Sequence, residues 1–142
     1  MLSYIYYNTI HITNRYILTV CIQTYVIYMQ SEIEKWLKEL RKGSTKLAML
    51  SLLSKRDMYG YEITKELSTI TDGVISLKES NAYPALHTME SEGLIKSYWK
   101  ETEAGMPPRK YYSITSLGSA FYEDMKKEWK KHNDSMEKVW QY

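Results

Sequence analysis

The sequence predicts a mainly helical fold with a two-stranded β wing and a long C-terminal helix. Apolar residues recur at helical spacing through most of the chain after Met29. Two aromatic segments of alternating pattern, 94–100 and 110–115, flank a loop that contains one glycine and two prolines. A final apolar stripe at steps of three or four residues predicts a helix over 116–142. This order of elements is typical of a winged helix-turn-helix, a module that lays one helix in the DNA major groove.

Composition sets the class but not the partner. A chain of 142 residues is one domain, or a domain plus a tail. The net charge of +2 is too small to indicate nucleic-acid binding, so the distribution of charge must decide. The single cysteine, Cys21, excludes an internal disulfide framework and a multi-cysteine zinc site. It fits a reducing compartment, and we expect a cytoplasmic protein without a cofactor.

Residues 1–28 differ from the rest because Arg15 is their only charged side chain. An uncharged start argues against a secretory signal, and polar interruptions leave the apolar stretch too short for a membrane span. An extra strand is the third interpretation, since Tyr, Ile, Val and Thr suit strands. The fourth is that Met29 is the biological start. We treat 1–28 as a leader outside the fold and expect no membrane partner.

An amphipathic helix is predicted over 29–42. Ser31 can cap it, and Trp36 and Leu40 lie on its apolar face. Gly43 is expected to end this helix and to begin the winged domain, 43–115. Its first helix is apolar over a broad surface from Leu47 to Leu53, which is typical of a central core helix. A turn at 56–60 and a third helix from Tyr61 to Leu67 follow, ended by a left-handed Gly73. The link 74–77 could form a short strand.

The fourth helix opens at 79–81 and ends at Glu92-Gly93. Pro84 is expected in its first turn, where amides lack intrahelical partners. One side of the helix is apolar and the other polar. Asn81 can pair with adenine, and Ser80 and Thr88 can contact bases with less discrimination. His87 can reach a base or a phosphate. Helix composition alone leaves a merely solvated face equally open.

The wing follows this helix directly and ends in a basic pair, Arg109-Lys110, with Lys100 at its other base. Cations at the rim of a wing suit contacts to the phosphate backbone or minor groove. Two basic residues are also common in a solvated turn. Tyr111 and Tyr112 alternate, so one of them should face the core.

Several short motifs occur in a fixed order between residues 43 and 140. They are Tyr59-Gly60-Tyr61-Glu62-Ile63, Tyr83-Pro84-Ala85-Leu86, Glu90-Ser91-Glu92-Gly93-Leu94-Ile95, Tyr98-Trp99, Pro108-Arg109-Lys110-Tyr111-Tyr112, Thr115 and Gly118. With these motifs the chain resembles the PadR-like family of transcriptional regulators. The resemblance implies a recognition helix over 80–92, double-stranded DNA as partner and repression as activity. It also implies that Tyr59, Tyr83 and Pro84 lie at or near the DNA surface.

The chain departs from the family pattern at two places in the recognition helix. Asn81-Ala82 stand where the family usually has Thr-Leu, and His87-Thr88 stand where it usually has one or two basic residues. Fewer phosphate contacts would lower the salt slope of binding by about one unit each. We therefore expect a different operator sequence and weaker binding than in more basic relatives.

The last helix has two interpretations, core packing and a dimer interface. Its stripe exceeds what a small winged domain needs to cover itself, and a large exposed stripe marks an interface. The predicted dimer residues are Trp36, Leu40, Phe121, Met125, Trp129, Met136 and Trp140. The resemblance likewise implies a homodimer and, for some members, a flat aromatic ligand stacked on a tryptophan at the position of Trp129. A tryptophan that merely fills the interface is the alternative.

An enzyme is not expected, because the sequence lacks a phosphate-cradling glycine loop, a nucleophile elbow and a His-Glu-x-x-His motif. The second function class is a winged helix used for protein contacts. The modest net charge and the absence of basic residues at His87-Thr88 keep it open.

Overall fold

The computed structural model describes residues 2–103 and 105–142, with side chains from Tyr16 onward. The elements are α1 (Leu2–Leu53), β1 (Met58–Tyr59), α2 (Gly60–Ile70), α3 (Glu79–Ser91), β2 (Ile95–Lys100), β3 (Arg109–Ile114) and α4 (Ser116–Gln141). The fold is the predicted one, mainly helical with a small antiparallel sheet.

One helix, α1, replaces the elements predicted before residue 53. The predicted break at Gly43 is wrong, since α1 continues through it, and the strand considered for 1–28 is wrong where the structure describes that segment. A glycine inside a helix costs only about 1 kcal/mol, which the flanking helical hydrogen bonds offset. Ser44 and Thr45 also satisfy their hydroxyls within the helix by donating to the Arg41 carbonyl, at 3.1 and 2.7 Å.

The chain divides into two compact units, one ending at Leu40 and the other running from Arg41 to Tyr142. In the first unit, no side chain between residues 16 and 40 is buried. Many of these exposed side chains are large and apolar, such as Tyr25 and Ile27. In the described parts of the chain, no helix is long and apolar enough to cross a bilayer.

The core of the second unit collects apolar side chains from the end of α1, from α2 and α3, and from all three strands. Its fully buried members include Met49, Leu50, Ile63, Leu86 and Ile95. The last turns of α1 are therefore central, as the broad apolar surface predicted. This core fixes α3 against the sheet and leaves the opposite side of α3 free to face solvent.

The sheet has three strands in the order β1-β3-β2, both pairings antiparallel. The predicted wing strands are β2 and β3. The third strand, β1, lies where we predicted only a turn, and no strand forms at 74–77. In register, Tyr111 of β3 lies opposite Tyr59 of β1 and Tyr98 of β2.

α4 begins at a tight junction with the wing. Thr115 caps the helix, because its hydroxyl oxygen accepts a hydrogen bond from the Gly118 amide at 3.0 Å. The Thr115 amide also donates to the carbonyl of Leu94 at 3.0 Å. Gly118 approaches the same carbonyl so closely that an added Cβ would lie 1.9 Å from its oxygen. A side chain at position 118 is therefore incompatible with the observed contact between the start of α4 and Leu94.

Candidate nucleic-acid interface

The polar side of α3 is exposed and its apolar side is buried. Ala82, Leu86 and Met89 enter the core. The residues of α3 that are predicted to contact DNA are all exposed, namely Ser80, Asn81, Tyr83, Pro84, His87 and Thr88. The structure thus brings them together on one accessible helix face beside the wing.

Pro84 lies one turn later in α3 than predicted. The helix begins at Glu79, so Pro84 falls in the second turn and not the first. Proline has no amide hydrogen, so the Ser80 carbonyl lacks its usual helical donor on the exposed face. The hydroxyl of Thr88 donates to the Pro84 carbonyl at 3.0 Å, which ties that hydroxyl to the helix backbone.

Gly60, the first residue of α2, lies against the ring of Tyr83 on α3. A Cβ added at Gly60 would come within 2.8 Å of the ring. Tyr83 is nevertheless 47% exposed, so one side of the ring packs on α2 and the other is accessible. Only glycine at this position lets the ring lie across the junction of the two helices.

A cleft of about 510 Å³ separates α3 from the wing. Its walls come from the start of α2, from α3 and from both wing strands. The lining residues are Tyr59, Gly60, Tyr83, His87, Glu90, Trp99, Pro108, Arg109, Lys110 and Tyr112. Five of the nine residues predicted to contact DNA line this one cleft, namely Tyr59, Tyr83, His87, Arg109 and Lys110. Polar, aromatic and cationic groups therefore meet where a nucleic-acid backbone could lie.

Arg109 lies on one face of the wing over a row of tyrosines. Its guanidinium carbon is 4.6 Å from the centre of the Tyr59 ring. Tyr59 lies 5.5 Å from Tyr111, which stacks on Tyr98 at 5.9 Å. The hydroxyl of Tyr98 donates to Asp57 at 2.8 Å, a hydrogen bond that raises the pKa of Tyr98. The row supports the guanidinium by cation–π contact and leaves its donors available.

Lys110 lies on the opposite face of the wing, because successive strand residues alternate. Its ammonium is 3.3 Å from the carboxylate of Glu90 on α3 and 5.4 Å from the centre of the Tyr112 ring. Ser97 also donates a hydrogen bond to Glu90. The Ser97 hydroxyl first, and Lys110 second, lower the pKa of this carboxyl. Glu90 thus links α3 to both wing strands.

The sequence pattern makes Arg109 and Lys110 equivalent, whereas the structure gives them different partners. The pattern does not predict the role of Glu90 or the tyrosine row. The alternation of strand residues could have placed Arg109 and Lys110 on opposite faces. The partners of each cation could not be inferred, since they come from elements distant in the sequence.

A second exposed surface runs along α4. Phe121, Met136 and Trp140 are exposed, and Trp129 is half-buried. Met125 instead packs against the core, so part of the predicted dimer stripe covers the winged domain itself. In the other unit, Trp36 and Leu40 are also exposed.

Comparison with protein families assigns this chain to a known family. A model described as the transcriptional regulator PadR-like family matches residues 49–124, more than half of the chain. The match covers α2, α3, the wing and the start of α4.

Solved structures agree with this match. A transcriptional regulator from Clostridium thermocellum is 35% identical with a TM-score of 0.64, covering 70% of this chain and 96% of its own. A padr family transcriptional regulator from Eggerthella lenta is 29% identical with a TM-score of 0.70, covering 80% and 96%. Bacillus subtilis PadR, solved in complex with operator DNA, is 30% identical with a TM-score of 0.53; the match covers 57% of this chain but only 45% of that one.

Proposed function

The chain belongs to the PadR-like family of transcriptional regulators, and from this premise we propose that it is a repressor that binds an inverted-repeat operator as a homodimer. The observation that carries the proposal is the exposed polar face of α3 beside a cleft that also contains Arg109. The solved complex of a relative with operator DNA supports the same use of the fold.

Within this proposal, α3 reads bases and the wing holds the backbone. Asn81 is exposed near the start of α3 and its amide can pair with adenine in two hydrogen bonds. His87 lies later in α3 and lines the cleft. Arg109 contacts phosphate, which adds affinity without sequence preference.

The homodimer is proposed from the exposed apolar side chains of α4 and of α1 before Arg41. Trp140 is 75% exposed and Trp36 is 60% exposed, and large apolar surfaces of this kind mark interfaces. Two recognition helices of a dimer lie about 34 Å apart, or one DNA turn, which an inverted repeat matches. Light scattering at micromolar concentration should give twice the chain mass, and a monomer would contradict this part.

Ligand response is proposed for Trp129. Its half-buried indole on α4 offers a face on which a flat aromatic molecule can stack. Planar drugs should quench tryptophan emission in the native protein and much less in Trp129→Ala. Equal quenching in both proteins would place the ligand elsewhere.

The main experiment is a mobility-shift assay with DNA from upstream of the chain's own gene. We expect a specific complex whose affinity falls steeply between about 50 and 200 mM salt. The alternative function is a winged helix that contacts other proteins. A well-folded dimer that fails to bind this DNA, or that binds with no salt dependence, would favour the alternative.

A further inference from the structure

We propose that Glu90 withholds Lys110 from the DNA phosphates and ties the recognition helix to the wing, so that Arg109 alone supplies the phosphate contact of the Arg109-Lys110 pair. The inference rests on the proposed DNA binding. It assigns Lys110 a positioning role and makes Glu90 a residue that lowers affinity.

The partners of Lys110 support this assignment. Its ammonium has a carboxylate at 3.3 Å and an aromatic ring at 5.4 Å, and its side chain is 38% exposed. Glu90 is 30% exposed and is held in place by the hydrogen bond from Ser97. To bind Lys110, a phosphate would have to displace the Glu90 carboxylate, which carries a full negative charge and is held by Ser97 of β2.

Arg109, the residue before Lys110, differs from it in its partners. In the part of the chain with described side chains, no carboxylate lies within ion-pair distance of its guanidinium. Its ring contact with Tyr59 uses the flat face of the guanidinium and not its hydrogen-bond donors. Phosphate binding at Arg109 therefore requires no ion pair to break.

The position of Glu90 gives the ion pair a mechanical role. Glu90 is half-buried near the end of α3, and its two partners, Ser97 and Lys110, lie on β2 and β3. The three groups join the helix that is proposed to read bases to the strands that carry the phosphate contact. Because Glu90→Gln keeps an acceptor for Ser97, that variant frees Lys110 while the link between α3 and β2 remains.

The test compares Arg109→Ala, Lys110→Ala, Glu90→Gln and the double variant Glu90→Gln/Lys110→Ala in DNA binding. The probe is a duplex from upstream of the chain's own gene, titrated between about 50 and 200 mM KCl. One phosphate contact changes the ratio of the two end-point affinities by about 3.5-fold, because the salt slope is about 0.9 per contact. Circular dichroism melts confirm that each variant is folded. Glu92→Gln, whose parent carboxylate pairs with Lys46 at 2.6 Å, controls for a simple loss of negative charge at the C-terminal end of α3, where Glu92 is the C-cap residue.

We expect Arg109→Ala to lose one unit of salt slope and Lys110→Ala to keep the wild-type slope. Glu90→Gln retains an acceptor for Ser97 but frees Lys110, so it should gain about one unit of slope and bind more tightly. The gain should vanish in the double variant and be absent in Glu92→Gln. Equal slope losses in Arg109→Ala and Lys110→Ala, or weaker binding by Glu90→Gln, would overturn the inference while leaving DNA binding intact. A wild-type chain that does not bind the duplex would overturn the proposed function as well.

Discussion

Replacing Gly118 with alanine tests how tightly α4 docks on the wing. The new Cβ would lie 1.9 Å from the Leu94 oxygen and 3.0 Å from a side-chain carbon of Ile114. Real Cβ atoms essentially never come closer than 3.0 Å to another heavy atom, so the helix start and the Leu94 peptide must separate by about 1.1 Å. The obstacle is backbone, which cannot rotate away as a side chain can.

The cost follows from what this separation breaks. The Leu94 oxygen accepts the Thr115 amide at 3.0 Å and lies 3.1 Å from the Thr115 hydroxyl. An increase of about 1.1 Å takes both beyond hydrogen-bonding distance, and each is worth about 1 kcal/mol. Loss of the cap of α4 costs about 1 kcal/mol more. The overpacking that remains after the separation costs about 1–3 kcal/mol. Allowing about 1 kcal/mol for the better helix propensity of alanine, we expect a loss of about 3–5 kcal/mol.

Urea unfolding at a fixed protein concentration measures this loss. Gly43→Ala is the matched control, because Gly43 is also helical and has no atom within 4 Å of its added Cβ. It should stabilise the chain by about 0.5–1 kcal/mol. The two identical substitutions should thus shift the free energy of unfolding in opposite directions. A Gly118→Ala variant with wild-type stability would refute the proposed docking of α4.

Three further predictions concern the cleft and the exposed face of α3. Gly60→Ala places a Cβ 2.8 Å from the Tyr83 ring, whose exposed end can move, so the substitution should cost at most about 1 kcal/mol of stability. Because the ring is displaced, DNA binding should weaken severalfold in a mobility-shift titration. Wild-type affinity would contradict the position of the ring at the interface. Asn81→Ala should cost about 1–3 kcal/mol of binding and relax discrimination at one base pair, measured by competition with operator variants; a uniform loss over all sequences would contradict base reading. Because the pKa of Glu90 is lowered in the folded chain, its contribution to stability is complete above the ordinary glutamate pKa of 4.5 and is lost as pH falls through the folded value. Unfolding curves for Glu90→Gln should therefore converge with the wild type in acid, and a constant difference between pH 3 and pH 7 would contradict the pairing.

Periodicity predicted the local elements well. The 3.6-residue spacing of Ala82, Leu86 and Met89 correctly separated the buried side of α3 from its polar side. Period-two alternation placed the wing strands and predicted that one residue of the Tyr111-Tyr112 pair faces the core; the structure shows that it is Tyr112. These features depend on residues that are close in sequence, so a local pattern contains the required information.

The missed features depend on pairings between distant segments. β1 has only two residues, and it becomes a strand because Met58 and Tyr59 lie opposite Tyr112 and Tyr111. The pairing of Glu90 with Lys110 spans 20 residues in the same way. The predicted helix end at Gly43 is wrong for a different reason. A glycine ends a helix when the chain must turn there, and residues on both sides of Gly43 continue the same hydrogen-bonded ladder.

The long first helix, α1, is geometrically continuous, but we expect its two ends to differ in their free energy of local opening. Among the side chains of α1 that the structure describes, from Tyr16 onward, the buried ones are Met49, Leu50, Leu52 and Leu53, which all lie in its last turns. Amides there can exchange with solvent only when the core opens, whereas amides before Arg41 exchange through local helix–coil fluctuations. Hydrogen exchange in the isolated chain should therefore change abruptly along a single continuous helix. Any partner that covers the upstream turns would be detected first as a slowing of that fast-exchanging population.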